Sequence, residues 1–100
     1  MLELSAPAID DLRAVYLEGL DRFGRRQADL YIDGLLDTLD RLSEFPRLGV
    51  ARLEMGPMSR TLAHRSHVIL YRTDDSDVFI RRIRHAREDW LTDLESGDTP

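Results

Sequence analysis

Cysteine is absent from the 100 residues, and so is lysine: all 14 basic residues are arginine. Without cysteine there can be no disulfide framework and no thiolate metal site, and the simplest setting is a reducing compartment, which leads us to expect a cytoplasmic protein. Nowhere do 18 apolar residues run together, and the opening stretch MLELSAPAIDDL lacks a basic segment followed by an apolar core. Neither a membrane span nor a secretion signal is therefore expected. Internal repeats and low-complexity stretches are also missing.

What is present is one domain's worth of apolar residues, 42% of the chain, and an uneven charge. Nineteen acidic residues leave a net charge of -5. Residues 1–46 carry -5, residues 47–72 carry +4 and residues 73–100 carry -4. A basic middle could hold a phosphate backbone, but proteins devoted to nucleic acid draw most of their affinity from a strongly positive overall field. An acidic chain argues against direct nucleic-acid binding.

The periodicity predicts an α+β fold. Leu2 to Leu4 reads as a short strand, and Ser5-Ala6-Pro7 supplies a helix cap with proline in the first turn. Ile9, Leu12, Val15, Tyr16, Leu20 and Phe23 then mark one face of a helix stopped at Gly24. The pattern resumes through Ala28, Tyr31, Ile32, Leu35, Leu39, Leu42 and Phe45 until Pro46 ends it. Two helices about two residues apart form a hairpin that needs a sheet to cover its apolar faces. Residues 46–57 read as a loop. Strands are expected at 59–63, 68–72 and 78–83, the last two joined by the turn Thr73 to Asp77. A short helix over 87–94 would follow, with Trp90 docked on the sheet and residues 95–100 frayed. The predicted order is β-α-α-β-β-β-α: one domain over residues 1–94, an antiparallel-type sheet with the N-terminal helical hairpin packed on one face.

Three histidines invite a metal reading, but His64 and His67 differ by an odd number and would face opposite ways on one extended strand. No metal site and no cofactor is expected. Nucleolytic chemistry is the stronger rival: Arg60, His67, Tyr71, Arg72, Arg82 and His85 lie on neighbouring strands and are the residue types that activate a hydroxyl, hold a phosphate and protonate a leaving oxygen. On the strand 78–83, strict alternation puts Val78, Ile80 and Arg82 on one face and Phe79, Arg81 and Ile83 on the other. The plainer reading is a strand aromatic, histidines at strand ends, and arginines paired with Asp74, Asp75, Asp77 or Glu88. The acids of the second helix, Asp29, Asp33, Asp37, Asp40 and Glu44, make a solvated face.

The order and spacing of Pro7 with "AIDDL", "RFG" at 22–24, "FPRLG" at 45–49, "SHVILYR" at 66–72 and "FIRRIRHARED" at 79–89 resemble the RelE/ParE superfamily of toxins from type II toxin–antitoxin systems, and within it the ParE branch. The resemblance covers nearly the whole chain and implies the RelE-like fold. RelE-like members are ribosome-dependent mRNA endonucleases, whereas ParE-like members are associated with inhibition of DNA gyrase. Nuclease-type relatives commonly place an arginine after the central-strand histidine, where this chain has Val68, and one branch a tyrosine after the later histidine, where it has Ala86. The resemblance thus implies a non-enzymatic gyrase inhibitor neutralised in a hetero-oligomeric complex by a ParD-like antitoxin, with a RelE-like endonuclease as the alternative. An arginine-rimmed apolar groove would bury the antitoxin's amphipathic segment and pair its acids. We expect that groove to use Leu12, Tyr16, Leu35, Arg60, Tyr71, Arg72 and Arg82, with His67 and His85 structural or groove-lining. The basic run Arg81, Arg84 and Arg87, with Trp90 beside it, is expected to face gyrase.

Overall fold

The computed structural model describes residues 1–88 and shows a five-stranded sheet with a helical hairpin on one face. The chain runs β1 (Leu2–Leu4), α1 (Ala6–Phe23), α2 (Arg25–Glu44), β2 (Val50–Ala51), β3 (Ser59–His64), β4 (His67–Thr73) and β5 (Val78–His85), with 3-10 turns at Pro46–Leu48 and Leu53–Met55. The strands lie in the order β1-β5-β4-β3-β2. Three pairings are antiparallel, and β1 joins β5 in parallel. The expected α+β architecture holds. It gains β2, which the turn-rich segment 46–57 conceals because the strand is only two residues long.

Ser5 sets the first corner. Its hydroxyl oxygen accepts from the Ala8 amide at 3.0 Å, capping α1, and its O–H donates to the Arg81 carbonyl at 2.7 Å. The Ser5 amide donates to the Ile80 carbonyl, so the helix start is pinned to β5. At the other end Gly24 (φ +87°) is the sole residue between the helices. Its N–H closes α1 on the Leu20 carbonyl and its own carbonyl opens α2 by accepting from Ala28. That left-handed backbone suits glycine, which carries no Cβ to clash.

The core lies between α2 and the sheet. Leu35, Leu39 and Leu42 meet Ile69, Tyr71, Val78, Ile80 and Ile83, with Ala8 from α1 and half-buried Leu2, Leu4, Leu12, Val15, Ile32 and Leu62 around them. Each such leucine contributes roughly 1.5–3 kcal/mol on burial. Ile83 corrects the strict alternation expected on β5. Leu70 pairs with Arg82 but Tyr71 pairs with Ile80, so Arg81 is an extra residue. This bulge resets the phase and turns Ile83 to the core beside Ile80.

Past Ile80, β5 outruns β1. Asp11 of α1 covers this stretch of edge: its carboxylate accepts from the Ile83 amide at 2.9 Å and from Arg82 at 2.8 and 2.9 Å. A carboxylate on the edge amide also blocks strand addition there. After β5 the chain turns through Ala86 to Glu88, where the Glu88 carboxylate accepts from the His85 amide. The expected helix beyond that turn, Trp90 and the tail 95–100 lie outside the described residues.

Candidate functional site

The residues expected to rim one groove fall on different parts of the fold. Leu35 and Tyr71 are fully buried, which corrects their assignment to a partner-facing surface. The Tyr71 hydroxyl accepts from the Gly49 amide at 2.9 Å and donates to the Pro46 carbonyl at 2.7 Å, so it locks the loop after α2 onto the sheet. Burial pushes its phenol pKa up. The loop comes so close that a Cβ on Gly49 would sit 2.6 Å from the Thr61 carbonyl oxygen and 2.7 Å from the Tyr71 hydroxyl. Arg60 secures the same loop, donating to the Gly49 carbonyl at 2.6 Å.

Arg82 is tied to Asp11, and both side chains are largely buried. Arg72 is exposed and lies across the sheet from Tyr71's core-facing ring, its guanidinium 6.0 Å from the Phe79 ring centre. On α1, Leu12 packs against the core, and the Tyr16 hydroxyl donates to Asp29 of α2 at 2.6 Å. Of the basic run assigned to the target, Arg81 sits half-buried at the bulge, Arg84 pairs with Glu88, and Arg87 is exposed. Trp90 is outside the described residues.

The histidines, by contrast, converge. The two-residue turn Arg65-Ser66 places His64 directly opposite His67, and His67 opposite His85. All three therefore share the helix-covered face, correcting the expectation that His64 and His67 point apart: they belong to two strands. Tyr31 of α2 stands among them, its ring 5.6 Å from His64 and 5.5 Å from His67, while the rings of His67 and His85 are 5.3 Å apart. The Tyr31 hydroxyl lies 2.6 Å from His67 Nδ1 and 3.3 Å from the His64 carbonyl oxygen, so it ties the two strands to α2. Sequence reasoning missed this cluster. The signal was the pair Arg65-Ser66 between two strand-like runs.

Burial lowers the pKa of His67, and the neighbouring charge of His85 lowers it further. His64 is also lowered, by burial first and by Arg65 second. Its bonding gives the reason. Thr38 Oγ1 donates to the Gly34 carbonyl and so accepts from His64 Nδ1 at 2.9 Å, leaving Nε2 buried with no partner. A proton on Nε2 would be a buried charge without an acceptor.

Tyr71, Arg60 and Arg82 are each held in structural bonds away from the cluster. Among the described residues no group of three His, Cys, Asp or Glu side chains could hold a metal ion. What the cluster does border is space. A cleft of about 580 Å³ lies between Phe23, Arg26, Leu30, Tyr31, His64 and Arg65. A second, of about 300 Å³, lies across Tyr31 against Arg22, Ser66, His67 and His85.

Comparison with known proteins places this geometry. Residues 2–90 match the family described as ParE toxin of type II toxin-antitoxin system, parDE. Toxin ParE3 of Caulobacter vibrioides is 33% identical over 81 residues, covering 81% of this chain and 81% of that protein. Toxin ParE1 of Mycobacterium tuberculosis is 34% identical over 87 residues, covering 86% and 89%. A solved structure described as the chromosomal ParDE TA system from P. aeruginosa shares the fold, with a TM-score of 0.72 at 22% identity over 84% of this chain and 92% of that one. With nearly nine-tenths of its length matched, the chain belongs to the ParE toxin family of type II toxin–antitoxin systems.

Proposed function

We propose that the chain is held inactive in a hetero-oligomer with a ParD-like antitoxin and that, once free, it inhibits DNA gyrase by protein contact, without catalytic residues of its own. The observation that carries the non-enzymatic part is the commitment of Tyr71, Arg60 and Arg82 to loop, carbonyl and carboxylate partners. Side chains that hold the fold together cannot also move to a scissile phosphate without loosening it. The acidic balance supports the same reading, because a ribosome-entering nuclease gains from a positive field and this chain has a net charge of -5.

For the antitoxin, the helical hairpin offers exposed apolar residues that do not line the cleft of about 580 Å³, Ile9 and Leu17 on α1 and Leu36 on α2. An amphipathic segment can cover them. No helix among the described residues is long and apolar enough to cross a membrane. The histidine cluster favours a second reading, an mRNA endonuclease, because His67 and His85 are the titratable pair nearest an open cleft. Growth arrest on expression decides between the two. Our reading predicts that His85→Ala still arrests growth and that co-expressed antitoxin lifts the arrest; a folded His85→Ala protein without toxicity would favour the endonuclease.

A further inference from the structure

The corner where α1 turns into α2 carries cations that the fold leaves unused. Arg22 is paired with Glu18 at 3.0 Å and Arg25 lies 3.8 Å from Asp29. Arg26 and Arg65 have no carboxylate partner among the described residues, and they flank one cleft, that of about 580 Å³. Between them stand two large apolar side chains open to solvent, Phe23 at 61% and Leu30 at 66% exposure. Exposed aromatic and aliphatic groups flanked by arginine make a patch that a protein partner can cover.

Two details show a surface prepared in advance. The Phe23 ring is held beneath the Arg22 guanidinium at 5.9 Å, and Glu18 fixes that arginine in turn. A pre-set anchor loses less entropy on docking. Arg65 sits at φ +51° in the turn between β3 and β4, a left-handed conformation that glycine or asparagine adopts at less cost. The backbone there gains nothing from arginine, so the side chain is what the position is suited to supply.

We infer that this cleft is the surface through which the free toxin grips gyrase, and that its occupant is an acidic segment of that protein: carboxylates on Arg26 and Arg65, and an apolar side chain between Phe23 and Leu30. Charge complementarity selects the occupant. The whole chain repels acidic partners at a net charge of -5, so the contact must come where arginines lack acids of their own. The helical turn is chosen over the Arg81, Arg84 and Arg87 run because exposed Phe23 and Leu30 stand between its two arginines, whereas Arg84 is paired with Glu88. The inference rests on the gyrase reading given above.

The test uses the isolated full chain with purified gyrase in a supercoiling assay, beside titration with antitoxin and with a gyrase-free DNA duplex. The double variant Arg26→Glu, Arg65→Glu should need at least ten times more protein for half-inhibition, while antitoxin affinity and thermal unfolding stay as in the unmodified chain. Phe23→Ser, which changes no charge, should weaken inhibition as well. An unmodified chain that inhibits and a double variant that inhibits equally would overturn the cleft assignment alone. An unmodified chain that leaves supercoiling untouched would overturn the gyrase reading and the assignment with it. Loss of antitoxin binding in the double variant would hand the cleft to the antitoxin, and loss of DNA binding would hand it to phosphate; either result overturns the inference.

Discussion

Tyr71 shows how a residue that carries chemistry in one setting carries architecture in another. Its hydroxyl serves a buried donor and a half-buried acceptor at once, the Gly49 amide and the Pro46 carbonyl. Tyr71→Phe leaves both groups without a partner and should lower stability in urea unfolding by about 1–3 kcal/mol, with the folded fraction as toxic as before. Gly49→Ala should destabilise at least as much, because its Cβ meets backbone 2.6 Å away. At this scale the sequence was least legible. A tyrosine and an arginine on adjacent strands read equally well as catalysts or as staples, since the deciding partners, Gly49 and Pro46, lie in a loop with no periodicity.

Elements were far more legible, because period and punctuation are local. Ser5, Gly24 and Pro46 bound the helices within a few residues of where their chemistry predicts. What escaped were features set by pairing between elements. The bulge at Arg81 cannot be seen along β5 alone; it arises from the register against β4. Asp11 likewise sits in the first turns of α1, yet its carboxylate serves the β5 edge and Arg82, a role no pattern along the helix reveals. Asp11→Ala should cost about 1–3 kcal/mol, a figure kept below that of a fully buried pair because both side chains retain some exposure. The same variant exposes the Ile83 amide, and light scattering at rising concentration should show it self-associating more than the unmodified chain. Leu35→Asp puts an unpaired charge into the centre of the core and should leave no cooperative unfolding transition.

Across the whole molecule the histidine cluster makes stability depend on pH. His64 and His67 are lowered in the folded state, so below the unfolded value of about 6.5 the unfolded chain binds more protons. Stability from this source is complete above that pH and declines as pH falls through the folded values. Denaturant midpoints should therefore drop from pH 7.5 to pH 5. His64→Asn, which can still donate to Thr38 but does not titrate, should flatten that slope; an unchanged slope would remove His64 from the account.

Family membership at this scale came from the joint order of five short segments, while the surface that meets a target did not, because exposure and pairing of arginines are properties of the folded chain. The most direct measurement pairs gyrase supercoiling with mRNA integrity on translating ribosomes, using one preparation of the isolated protein. The account predicts inhibited supercoiling or trapped cleaved DNA with mRNA intact. Codon-phased mRNA cuts with normal supercoiling would contradict it and would make the His67 and His85 pair a centre of catalysis.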